Sequence, residues 1–179
     1  MLAEKVIPVR LALAAKWTET MTLLMSRIST NGELGTLANL EMHSIKKLGY
    51  LMGLDHAIEQ ISGTPLSAEA FLSKEFSGTE RLIVATNPSA LKKDDTFHIR
   101  VRVLTNAENI SGKLLWKQLG SAEYQEIPLK HLARNVYEVK VPVTMFADDF
   151  EYYIEAKVDE NVLKYPATAG SINQSVLVF

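Results

Sequence analysis

Asp148-Asp149-Phe150-Glu151-Tyr152-Tyr153-Ile154-Glu155-Ala156-Lys157-Val158 decides how this chain is read. Phe150, Tyr152, Ile154 and Ala156 fall on one side of an extended backbone. Glu151, Tyr153, Glu155 and Lys157 fall on the other. Period-two alternation of this kind marks a strand with one buried face.

Working outward, the same period recurs. Thr96 to Thr105 turns Phe97, Ile99, Val101 and Val103 one way and His98, Arg100 and Arg102 the other. Lys113 to Leu119 sets Leu114 and Trp116 on one face. Asn135 to Val143 sets Tyr137, Val139 and Val141 opposite Val136, Glu138 and Lys140. Shorter runs at Arg81 to Thr86, Tyr124 to Leu129, Val162 to Tyr165 and Ser175 to Phe179 read as further strands. The breaks between them hold turn residues, among them Asn87-Pro88-Ser89, Lys92-Lys93-Asp94-Asp95 and Asp159-Glu160-Asn161. Seven or eight short strands in about 100 residues have the rhythm of an immunoglobulin-like antiparallel β-sandwich. Trp116 and Tyr152 are expected in its core. The Asp148-x-Phe150-x-Tyr152 run resembles a tyrosine corner, whose hydroxyl bonds back to the main chain.

Toward the N-terminus the period changes. Ala14, Trp17, Met21, Leu24 and Ile28 repeat at three and four residues, so residues 8–29 predict a helix, with Pro8 in its first turn. Leu11, Ala15 and Met25 widen its apolar surface, and Arg10, Lys16, Glu19 and Arg27 are its few charges. Thr30 and Glu33 have capping-box spacing. A second helix follows to about residue 52, with Leu34, Leu37, Ala38, Leu40, Met42, Ile45, Leu48, Leu51 and Met52 spread over two faces, as in a largely buried helix. Gly53 is expected to end it, and Asp55 to cap a short third helix through Ile61. The reading is therefore α+β: helical segment and connector over 1–79, sandwich over 80–179. Helices so broadly apolar need cover from the sandwich, from a second copy, or from an upstream domain of the same protein; Met1 leading almost directly into an apolar helix favours the last.

Composition bounds the function. The chain has 179 residues, 47% hydrophobic and 22% charged, with net charge −2 and no cysteine. No basic surplus marks a nucleic-acid partner. No apolar run approaches a membrane span of about 18 residues. Leu11 to Ala15 is too short for a signal-peptide core of about 7–15 residues. Without cysteine there is no disulfide, thiolate nucleophile or Cys-based zinc site.

Leu115-Trp116, Ile127-Pro128-Leu129, Val136-Tyr137, Phe150 through Ala156, Tyr165-Pro166-Ala167-Thr168-Ala169 and Asn173-Gln174-Ser175-Val176 together resemble the C-terminal sandwich of large secreted bacterial glycoside hydrolases and related polysaccharide-degrading proteins. Gly32 through Glu41 resembles the segment joining such a sandwich to its catalytic domain. The resemblance implies an accessory region in a secreted or periplasmic protein. It carries over no catalytic residue.

Candidate chemistry is sparse. Glu33 and Glu41 are the carboxylates nearest in kind to a glycosidase pair, but eight residues of helix separate them by about 12 Å; a helix cap for Glu33 and a surface position for Glu41 explain them better. His43 lies beside them. No two of His43, His56, His98 and His131 share the i, i+4 spacing of metal ligands. No nucleophile elbow or phosphate loop is present, so neither metal nor cofactor is expected. Sugar binding needs exposed aromatic rings, for which Tyr153 and Tyr124, then Tyr137 and Tyr165, are the candidates. The sequence thus predicts a non-catalytic accessory module, with a carbohydrate-binding module or an enzyme fragment sharing Glu33, Glu41 or His43 with a larger site as alternatives. Its expected partners are an upstream domain or second copy on the helices, and polysaccharide.

Overall fold

Strand β3 (Thr96–Leu104) buries Phe97, Ile99, Val101 and Val103 while Arg100 faces solvent, as the alternation requires. Strand β8 (Phe150–Val158) does the same with Phe150, Tyr152, Ile154, Ala156 and Val158. These two strands anchor opposite sheets. The computed structural model describes residues 2–73 and 75–179; the side chains of residues 2–3 and 45–52 lie outside that description. The chain divides into two units, Met1–Ile28 with Gly32–Gly78, and Ser29–Asn31 with Thr79–Phe179.

In the second unit, one sheet runs β1 (Arg81–Ile83), β3, β7 (Val136–Pro142), β6 (Lys130–Ala133). The other runs β2 (Ala90–Leu91), β10 (Gln174–Val178), β8, β4 (Ile110–Gln118), β5 (Gln125–Pro128), with β9 (Asn161–Tyr165) also paired to β8. Among the described residues, only the short β2–β10 pairing is parallel. A four-stranded sheet in the order A-B-E-D, facing one whose centre is C-F-G, is the partition of an immunoglobulin-like sandwich. The fold is α+β, with this sandwich following the helices.

The sandwich core is aromatic at its centre. Phe97 lies edge-on to Phe146, Phe150 and Tyr152 at 5.2, 5.5 and 5.3 Å, and Phe146 stacks on Phe150 at 3.8 Å. Trp116 meets Phe146 edge-on at 4.8 Å. Trp116 and Tyr152 are both buried, as the register requires. The tyrosine corner is a correction: the Tyr152 hydroxyl is buried without a hydrogen-bond partner among the described residues. The ring is held among aromatic neighbours, so the hydroxyl ends inside the core. Burial, with a smaller contribution from Tyr165, raises the phenol far above its ordinary ionisation range. An unsatisfied buried hydroxyl costs stability. Tyr152→Phe is therefore expected to stabilise the protein by about 1 kcal/mol, read as a higher urea midpoint at unchanged slope. A comparable loss of stability would mean that the hydroxyl is satisfied after all.

The first unit is a helical hairpin of α1 (Ile7–Arg27) and α2 (Asn31–Ser62), the first residue of α2, Asn31, belonging to the second unit. Ala14 and Ile28 are buried and Trp17 and Met21 half-buried, but Leu24 is exposed, so the stripe read from sequence is the inward face of α1 except at Leu24. Three expectations fail here. Gly53 does not end a helix, because α2 continues through it to Ser62; an interior glycine costs about 1 kcal/mol, which neighbouring turns absorb. Asp55 therefore caps nothing and lies within α2. Nor is α2 largely buried where its side chains are described: Leu40, Met42, Leu54 and Ile61 are exposed. Ile45, Leu48, Leu51 and Met52 lie outside the described residues. Inside the hairpin Arg10 and Asp55, both buried, form a two-pronged ion pair, Nε to Oδ1 at 2.9 Å and Nη2 to Oδ2 at 3.1 Å. The turn Ala68–Ala70 packs against α1 and buries Ala70.

Candidate functional site

Alternation along β8 sends Glu151, Tyr153 and Glu155 to the outer face of the larger sheet. The β4 register sets Leu115 opposite Tyr153 and Lys117 opposite Glu151, and the β9 register sets Lys164 opposite Glu155. Tyr124 enters just before β5, and its ring meets Tyr153 edge-on at 5.2 Å and 78°.

The polar groups of this face are tied to one another. Tyr124 donates its hydroxyl hydrogen to Glu151 Oε1 at 3.0 Å. Asn173 Nδ2 donates to the Tyr124 hydroxyl at 2.7 Å and to Glu151 Oε1 at 3.0 Å. Lys117 Nζ lies 3.3 Å from the same carboxylate oxygen and 4.9 Å from the centre of the Tyr124 ring. Burial pushes the Glu151 carboxyl up, but hydrogen bonds from Asn173, Tyr124 and Lys117 outweigh it and hold it below the ordinary carboxylate range. Burial and the Glu155 charge raise the Tyr153 phenol. Lys164 pairs with Glu155 at 3.0 Å and lies 5.8 Å from the Tyr153 ring centre. The outcome is a half-buried aromatic pair framed by compensated charges.

Of the four sugar-binding candidates, Tyr124 and Tyr153 are brought together and the other two are not. Tyr137 is a correction: it faces the core, 8% exposed, because it belongs to the inward set of β7. Tyr165 is half-buried at the core edge, where its hydroxyl accepts a hydrogen bond from Asn87. Glu33 lines an apolar groove of about 280 Å³ with Leu24, Arg27, Ile28, Thr36, Leu37 and Leu40. Glu41 and His43 are exposed on α2 and outside that groove. His56 contacts Gln60, His98 pairs with Glu138, and His131 contacts the Arg134 carbonyl. Among the described residues no three His, Asp or Glu side chains gather as a metal site, and no helix is long and apolar enough to cross a membrane.

Sequence reasoning missed Asn173 and Lys117 as members of the tyrosine cluster. Their positions follow only from strand register, which no local pattern reveals. It also missed the Arg10–Asp55 pair, whose partners stand 45 residues apart.

Fold and surface together define an immunoglobulin-like β-sandwich unit carried in one chain with a helical hairpin. No protein-family model and no curated protein matches the sequence. Among solved structures, the chain is similar to a marsupial T cell receptor at 11% identity and a TM-score of 0.42, over 56% of this chain. It spans about half, 52%, of that receptor chain. The fold assignment rests on the strand order itself.

Proposed function

We propose that this chain is a non-catalytic accessory module of a bacterial polysaccharide-degrading protein, in which the sandwich is a scaffold and the helical hairpin a protein-contact element. The observation that carries this reading is the apolar surface of the helices. Val9, Leu23, Leu54 and Ile61 are 69%, 58%, 51% and 71% exposed, a cost to a lone hairpin that a partner surface would remove. Small helical segments bury too little surface to stand easily alone.

A second reading, a carbohydrate-binding module, is favoured by one observation, the adjacent Tyr124 and Tyr153 rings on a single sheet face. Against it, their surrounding polar groups already satisfy one another, which leaves few donors for a sugar. Affinity electrophoresis of the purified chain against soluble polysaccharides separates the two, with reducing-sugar release measured in parallel. The accessory module is expected to give no retardation and no release. Retardation by one glycan that is lost in Tyr153→Ala would replace it with the binding module. Release that is lost in Glu33→Gln would replace it with an enzyme fragment.

A further inference from the structure

We infer that the outer face of β3 carries an oxyanion-binding cleft. The alternation that buries Phe97, Ile99, Val101 and Val103 lines His98, Arg100 and Arg102 along the opposite side of one strand. Successive members are about 6.7 Å apart. With Asn31 and Thr86 they line a cleft of about 270 Å³.

The charges in this row are unequal in their partners. His98 Nε2 contacts Glu138 Oε2 at 3.0 Å, so this carboxylate, on the strand beside the cleft, is already engaged by His98. Neither the Arg100 nor the Arg102 guanidinium has an ion-pair or hydrogen-bond partner among the described residues. Two unpaired guanidiniums side by side repel each other, and an anion between them reverses that sign. Each presents a planar fork of N–H donors that matches two oxygens of a carboxylate, sulfate or phosphate group.

The uncharged members complete the donor set. Asn31 Nδ2 donates to Thr86 Oγ1 at 2.7 Å. The threonine oxygen is thereby used as an acceptor, and its own O–H is left to donate. The donor-only Arg100 and Arg102 guanidiniums, with the Thr86 O–H beside them, suit an acceptor-only ligand. The volume lies below that of pockets for drug-sized molecules and fits one oxyanion group or one sugar acid. The shared chemistry is a tetrahedral or planar oxyanion, whether free or borne on a sugar. This inference does not depend on the accessory-module reading, since the cleft lies on the sheet opposite the tyrosine pair.

The test is calorimetric titration of the whole chain at fixed ionic strength with sodium sulfate, sodium glucuronate and, as a neutral control, glucose. The expected result is saturable one-to-one binding of at least one anion and none of glucose. Arg100→Gln/Arg102→Gln is expected to weaken it by about tenfold or more, while Lys157→Gln on the other sheet leaves it unchanged. Arg100→Lys/Arg102→Lys keeps the charge and the fold but loses the forks, and should also bind more weakly. Tighter binding of glucuronate identifies a sugar carboxylate, and tighter binding of sulfate a free or esterified tetrahedral anion; either supports the cleft. Equal binding by wild type and the glutamine pair, equal binding by the lysine pair, or no binding of either anion would overturn it.

Discussion

Phe97→Ala is expected to cost the sandwich about 3–5 kcal/mol. Phe97 is fully buried and lies edge-on to three other rings, so truncation removes both its own apolar surface and one side of each of those contacts. The neighbours have little room to collapse. Phe146 and Phe150 are already stacked on each other at 3.8 Å, and both sheets are held by their hydrogen-bond registers. A loss of this size is a large share of the roughly 5–15 kcal/mol that stabilises a typical domain. Phe97→Leu, which keeps much of the volume, should lose less. Urea unfolding followed by Trp116 fluorescence in a Trp17→Phe background reads the sandwich separately from the helices. A cost near 1 kcal/mol or below would mean that Phe97 is not the centre of the core.

The strong alternation of β3 and β8 was legible because one face of each strand is buried and the other wet over nine residues. β2 and β6 were not. Ala90–Leu91 is too short to show any period, and all four residues of Lys130–Ala133 are exposed, so no inward set exists to betray a strand. In the helices, apolar spacing located the inward face of α1 apart from Leu24 but misjudged α2. Hydrophobic residues such as Leu40 and Met42 carry the same local signal whether a partner covers them or not. Gly53 was read as a stop because glycine favours C-caps, yet nothing lies within 4 Å of where its Cβ would be, and the helix simply passes through. For the candidate site, alternation correctly turned Tyr153 outward, but Tyr137 was counted as an exposed ring although its strand places it with the inward Val139. It had no means of finding Tyr124 beside Tyr153, since that contact depends on β5 pairing with β4 and β4 with β8.

The helical unit has its own point of failure, and it is polar. Asp55→Ala is expected to destabilise the hairpin by about 3–5 kcal/mol. Asp55 holds Arg10 through two hydrogen bonds at sites where both residues are only about one-twentieth exposed, 5% and 6%. Removing the carboxylate leaves a guanidinium buried with no counter-charge, and arginine cannot shed its proton to escape. The pair is also imperfect as it stands, because Arg10 Nη1 is buried without a hydrogen-bond partner among the described residues. That asymmetry separates two kinds of variant. Breaking the pair on one side exposes the full desolvation cost of the survivor. Replacing both partners with apolar groups, as in Arg10→Met/Asp55→Leu, removes the cost altogether and is expected to be neutral or to stabilise by about 1–4 kcal/mol. The non-additivity of the double variant is the decisive quantity. Helix content followed by circular dichroism through a urea titration measures it. Comparable losses in Asp55→Ala and in the double variant would overturn this expectation, showing that the pair is net stabilising and that an apolar pair cannot replace it. A deep loss in the single variant, recovered in the double, would show that the loss is the cost of the stranded Arg10 charge and that an apolar pair holds α1 against α2 at least as well.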